Sequence, residues 1–213
     1  MPRVLVLGSH NRKKLGELAE LLVPHGFVLK TLADFPAAIE VDETGETFAA
    51  NARLKATVQA RNLGQWVLGE DSGLSVDALG GAPGVYSARF SGAGATDERN
   101  NQLLLEKLAG VPQEKRTAYY TCYAALSDPK GNVRAESEGL CRGRMLTAPV
   151  GSGGFGYDPL FEIIECHRTF GELTPAVKAV LSHRSRAIRQ LVPQLLLLVQ
   201  SGVWPVGQAT CLP

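Results

Sequence analysis

Apolar residues form an unbroken run at Val4–Leu7, then recur at Leu15, Leu18, Leu21 and Leu22. The run predicts a buried strand, and the recurrence predicts a helix over about 11–23 that Pro24 ends. Phe27–Leu32 reads as a second strand. A helix over 47–63 places Phe48, Ala52, Ala56 and Ala60 along its length and stops at Gly64. Trp66–Leu68 is a short strand running into Glu70-Asp71-Ser72-Gly73, and Leu74–Val76 is another. Thr96 is an N-cap residue, and Asp97 and Glu98 in the first turn complement the helix dipole. That helix is expected to finish at Gly110. Arg116–Ser127 and Val133–Met145 flank the turn residues of Asp128–Asn132 and read as a long hairpin. Thr174-Pro175 is an N-cap followed by proline at N1. Ser182 precedes a last helix with Ile188, Leu191, Val192, Leu195 and Val199 on one face, and Pro193 should kink or split it. Early alternation of strands and helices followed by a hairpin predicts an α/β or α+β domain with a mixed sheet.

Length adds domain organisation. The chain has 213 residues, which suggests one large domain over about 1–200 rather than two independent ones. Ser201–Pro213, rich in turn residues, reads as a peripheral tail. Hydrophobic residues make up 45% and charged residues 20%, which excludes a disordered chain or a disulfide scaffold. The four cysteines form no CxxC pair, and scattered thiols fit a reducing compartment. The apolar start is too short for a signal peptide, and Leu195–Val199 is far below a membrane span. A cytoplasmic protein with no membrane partner is expected.

The net charge of +1 (22 Lys and Arg against 21 Asp and Glu) hides segregation. Arg3, Arg12, Lys13 and Lys14 form one acid-free block; Lys178, Arg184, Arg186 and Arg189 form another. Asp34 to Glu46 holds five acids and no base. Such runs are usually solvated faces, but the basic blocks fall at turns and helix starts, where anions bind. Gly8-Ser9-His10-Asn11-Arg12-Lys13-Lys14 joins the first strand to its helix. Two lysines in a first turn oppose the helix dipole, so they point to a bound polyanion. No P-loop pattern is present.

Three further blocks carry candidate chemistry. Thr47, Asn51 and Lys55 are spaced by four and share a helix face. Taken alone this is a solvent face, but the neighbouring alanines permit close approach of backbone or ligand. Glu43, in the loop before, is a hard oxygen ligand suited to Mg²⁺ with substrate phosphates. Glu70 and Asp71 read as adjacent acids at the C-terminal end of a strand, where open α/β sheets bind ligands; facing opposite ways, they should do different jobs. Ser72 lacks the GxSxG elbow, so a nucleophile reading is weak. Gly151-Ser152-Gly153-Gly154-Phe155-Gly156 matches GxGxxG, but Tyr157-Asp158-Pro159 follows instead of a helix. Phe155 is then a candidate to stack on a base. Lys178 and Ser182-His183-Arg184 offer donors near a helix start.

Together and in this order, these blocks resemble the inosine triphosphate pyrophosphatase family from about Val4 to Leu198. The most specific pieces are Asp71-Ser72-Gly73-Leu74, Gly80–Arg89, Gly151–Phe161 and Ser182-His183-Arg184. The resemblance implies an elongated, twisted mixed β-sheet flanked by helices, two lobes with a central cleft, and a homodimer. It also implies Mg²⁺-dependent cleavage of non-standard purine nucleoside triphosphates (ITP, dITP, XTP) between the α- and β-phosphates; a nucleic-acid partner is disfavoured by the near-zero net charge and the acidic block. By motif, Ser9, His10, Asn11, Arg12, Lys13 and Lys14 would hold the triphosphate, with Lys55 beside the leaving pyrophosphate. Glu43 and Asp71 would bind metal, with Asp71 as catalytic acid–base. Ser72 would touch substrate; Phe155, Gly156, Tyr157 and Asp158 would receive base and sugar; Lys178, His183 and Arg184 would complete the pocket. Three departures stand out: Glu70 where bacterial relatives usually have Asp, His10 and Arg12 in the phosphate turn, and Pro193 with the tail. A pyrophosphatase for other modified nucleotides and a catalytically silent nucleotide sensor remain as alternatives.

Overall fold

The computed structural model describes residues 3–9 and 12–204, the side chains of Arg12 and Lys13 excepted. His10 and Asn11, expected in the phosphate turn, therefore lie outside the described residues. So do those two basic side chains and residues 205–213 of the tail.

Among the described residues, seven strands form one open sheet in the order β2-β1-β3-β4-β5-β6-β7. These are β1 (Arg3–Leu7), β2 (Phe27–Thr31), β3 (Val67–Val76), β4 (Thr117–Ser127), β5 (Val133–Met145), β6 (Phe161–Ile163) and β7 (Arg168–Thr169). β1 pairs in parallel with β2 and β3, whereas β6 is antiparallel to both β5 and β7. The sheet is thus mixed, as expected. Five α-helices among the described residues accompany it: α1 (Arg12–Leu22), α2 (Phe48–Leu63), α3 (Asp97–Lys107), α4 (Pro175–Leu181) and α5 (His183–Gln200). None among the described residues is long and apolar enough to cross a membrane.

The chain divides into two compact units. The first comprises Met1–Asp71, Tyr123–Glu138 and Ser185–Pro213; the second comprises Ser72–Cys122 and Gly139–Arg184. Each has its own core. In the first, the predicted stripes of α1 (Leu18, Leu22) and α5 (Ile188, Leu191, Leu195) close over Leu5, Leu7 and Leu68. In the second, Leu104 of α3 packs with Leu74, Tyr120, Phe161 and Phe170.

Three expectations need correction. The two short strands proposed around Glu70–Gly73 are one continuous strand, β3, so its acids lie mid-strand rather than at an end. Paired charges, described below, let polar residues occupy a buried strand. Pro193 does not split the last helix: α5 runs unbroken through 18 residues with Pro193 inside, its apolar face held by the first core. Trp204, assigned to the peripheral tail, is buried and stacked on Trp66 at 4.4 Å between ring centroids. A large aromatic gains more from this contact than the turn residues around it lose by being ordered.

Candidate active site

In the first unit the site is built on β3 and α2. Thr47 is the N-cap of α2: its hydroxyl accepts from Ala50 N at 3.1 Å. It therefore serves the backbone and does not share the functional face with Asn51 and Lys55. That face does not meet solvent. Asn51 is fully buried and Lys55 is 8% exposed.

Burial on α2 is possible because β3 brings partners to it. Lys55 Nζ lies 2.9 Å from Asp71 Oδ1 and 2.5 Å from Glu43 Oε1. Asn51 Nδ2 donates to Asp71 Oδ2 at 3.2 Å, while Asn51 Oδ1 accepts from Gly45 N at 2.8 Å. Burial pushes the Asp71 carboxyl up, and the charge of Glu43 adds to this against the pull of Lys55 and Asn51. Burial pulls the Lys55 ammonium down, but Asp71 and Glu43 more than offset it, so its affinity for the proton is raised. The result is a cation held between the buried carboxylate of Asp71 and the half-buried one of Glu43.

Glu70 points the other way, as strand alternation requires. Its buried carboxylate pairs with Lys14 of α1 at 2.7 Å. The two adjacent acids thus separate their work: Glu70 anchors a lysine of the first turn, and Asp71 belongs to the Glu43–Lys55 cluster. Ser9, at the start of the strand–helix turn, lines a small recess with Lys14 and Glu70.

In the second unit the predicted residues form an aromatic and cationic set. The loop before β6 carries Phe155, whose N–H donates to Asp158 Oδ2 at 2.9 Å. The same oxygen takes Lys178 Nζ at 2.7 Å. Lys178 Nζ also stands 4.6 Å from the centroid of the Phe155 ring, and the Arg184 guanidinium 5.9 Å from it. Arg184 Nη2 donates to Ser72 Oγ at 3.1 Å. The His183 ring is stacked on Tyr120 at 4.6 Å with planes 8° apart. Burial raises the Tyr120 hydroxyl well above its ordinary value, so it stays neutral.

A model of the Ham1 family matches residues 5–194. This chain belongs to the Ham1 family. Among Ham1 relatives, a protein of Rhodopirellula baltica named dITP/XTP pyrophosphatase is 58% identical over 92% of this chain and 95% of its own length. A protein of the same name from Desulforamulus reducens is 48% identical over 87% of this chain and 92% of its own. The solved HAM1 protein of Coxiella burnetii superposes with a TM-score of 0.82 at 36% identity, covering 92% of this chain and 98% of that one. These likenesses fit the mixed α/β sheet described above.

Within this Ham1 chain, not every candidate residue offers a free group. Tyr157 is buried and its hydroxyl donates to Ser87 O at 2.8 Å. Asp158 is buried and engaged with Phe155 and Lys178, so it holds the loop. Asn51, which the sequence groups with Lys55 without giving it a site role, fixes both Asp71 and the loop after Glu43. Its position on the Lys55 face was the one signal in the sequence, and its burial could not be read there.

Proposed function

We propose that the protein is a Mg²⁺-dependent nucleoside triphosphate pyrophosphatase that converts non-standard purine nucleotides (ITP, dITP, XTP) to the monophosphate and pyrophosphate. The observation that carries this reading is Lys55 Nζ held between Glu43 and Asp71. Two hard oxygen donors already converge on one positive centre. Mg²⁺ is commonly bound through one or two carboxylates plus substrate phosphates, so this donor pair fits it without a third protein ligand. The names of the relatives support the same chemistry.

When bound, Mg²⁺ would supply charge neutralisation on the phosphate oxygens. Asp71 would orient a water and take its proton. The water oxygen bonds to the α-phosphorus, the bond to the α–β bridging oxygen breaks, and pyrophosphate departs with that oxygen. Lys55 and Lys14 would stabilise the charge that develops on it. The 9–14 turn, including His10, Asn11, Arg12 and Lys13, would hold the phosphates. In the second unit Phe155 would stack on the base, and Lys178, His183 and Arg184 would complete its pocket. Hypoxanthine and xanthine carry an oxo group where adenine has an amino group; a donor there accepts the first two and leaves adenine facing a donor, which discriminates strongly. A cytoplasmic homodimer is the setting this reading carries, and light scattering coupled to gel filtration tests its assembly.

A pyrophosphate-release assay over ITP, dITP, XTP, GTP, ATP and pyrimidine triphosphates, with and without Mg²⁺, tests the function. Release from the first three should dominate and require the metal. Asp71→Asn should lower kcat by about 10²–10⁴-fold, the range of a lost general base; near-normal turnover would remove Asp71 from that role. Tight binding of ITP without release would favour a sensor, and preference for modified pyrimidines the other pyrophosphatase reading.

A further inference from the structure

The N-terminal half of α3 holds the Phe155 loop through contacts that the function above does not use. Gly156 N–H donates to Asp97 Oδ2 at 2.8 Å, and Gly156 C=O accepts from Asn101 Nδ2 at 2.9 Å. Asp97 and Asn101 are four apart, hence on one helix face, and together they hold both polar backbone groups of one residue. Gly156 sits at φ 63°, a left-handed conformation that glycine adopts without a Cβ penalty. Its freedom would let the loop move, and the two side chains fix it from outside. On the other side of Phe155, its N–H is tied to Asp158 and through it to Lys178. The Phe155 ring is thus bracketed in sequence by two anchors.

A purely structural role is served next door by Asn100. That residue is buried; its Oδ1 accepts from Ser91 N and Oγ at 2.8 Å each, and its Nδ2 donates to Ala88 O at 3.2 Å. Asn101 differs. Its Oδ1 is buried with no hydrogen-bond partner among the described residues. A buried unsatisfied acceptor is a cost to the fold, so an apolar residue of similar size would serve stability better. The carboxamide earns its place through its donor to Gly156.

We propose that Asp97 and Asn101 are positioning residues that clamp Gly156, fix the Phe155 ring and thereby set affinity and selectivity for the purine base. The proposal rests on the reading that Phe155 stacks on the base. Without the clamp the loop spends only part of its time in the binding-competent arrangement, and apparent affinity falls by that fraction. The groups that act at the α-phosphorus are untouched. The signature is therefore a raised KM with kcat retained.

Full-length wild type, Asn101→Leu, Asp97→Ala and Asp97→Asn are compared for pyrophosphate release from ITP and ATP with Mg²⁺, with thermal melts alongside. Asn101→Leu should raise KM for ITP about tenfold, corresponding to a competent fraction of about one in ten. Its kcat should stay near wild type, its preference for ITP over ATP should narrow, and its Tm should not fall. Asp97→Asn keeps an acceptor oxygen and should keep the wild-type KM, whereas Asp97→Ala should not. Both remove the same first-turn charge, so a difference in KM between them separates the clamp from the helix dipole. Wild-type KM and selectivity in Asn101→Leu and Asp97→Ala would overturn the clamp while leaving the function intact. A wild-type protein that releases no pyrophosphate from ITP would instead overturn the function, and the clamp's role in base selection with it.

Discussion

Lys55 occupies the point on which two carboxylates converge, and that position gives it a structural task beside the catalytic one proposed. Without a cation, Glu43 and Asp71 would face each other in a buried site. Removing one partner of a buried charge set typically costs about 3–5 kcal/mol, because the remaining charge stays desolvated. Lys55→Met should therefore lower the Tm of metal-free protein markedly, and millimolar Mg²⁺ should restore part of the loss, as read by thermal melts with and without chelator. In the wild type, chelation should abolish pyrophosphate release yet barely move Tm, since Lys55 already neutralises the pair. A chelator that unfolds the wild type would contradict this account. Asn51 shows how far residue-level reading of the sequence reaches. Its spacing with Lys55 was legible, but its burial depends on β3 arriving from 20 residues downstream, as its bond to Asp71 records.

Close contact between α2 and β3 is what brings these residues together. A Cβ at Gly69 would lie inside van der Waals range of Ala52 O and 2.6 Å from Ala56 N. The alanine-rich face of α2, which permits close approach of backbone or ligand, thus receives backbone. Overpacking a well-filled contact typically costs about 1–3 kcal/mol. Gly69→Ala should destabilise by at least that much and, by lifting α2 from β3, should weaken kcat more than its effect on folding accounts for. Both are measurable on the same preparation by denaturant melts and by pyrophosphate release per folded molecule. The helices were largely legible because an apolar stripe and a cap are local signals, as at Thr47 and Thr96, each of which accepts a backbone N–H. The continuity of β3 was not, because Glu70-Asp71-Ser72-Gly73 has the composition of a turn. Lys14 of one helix and Asn51 and Lys55 of another satisfy the acids there and make a strand possible.

At the scale of the whole molecule, each of the two units has buried clusters and charge pairs of its own. In the second, Arg144 bonds the carboxylate of Glu162 across the β5–β6 pair, and this holds Glu162 below its ordinary value of 4.5. A carboxylate lowered in the folded state contributes stability above its ordinary range and loses it as pH falls through the folded value. Acid should therefore lower the wild-type Tm through this range. Glu162→Gln should be less stable near neutrality and show a flatter acid limb, as melts from pH 7 downward would reveal. Equal slopes for the two proteins would exclude the pair as a source of acid sensitivity.

The sequence by itself determined the class of the sheet, most helices with their caps, the segregation of charge behind a net +1, and the family resemblance with its candidate residues. These follow from short-range periodicity and from motifs that are contiguous in the chain. Tertiary structure alone decided that β3 is one strand, that α5 tolerates Pro193, that Trp204 joins a core, and that Glu70 and Asp71 serve different lysines. Each of these depends on what packs against a residue from far along the chain. Burial, charge pairing and the cost of an unpaired group are set by those distant neighbours, and no local pattern contains them.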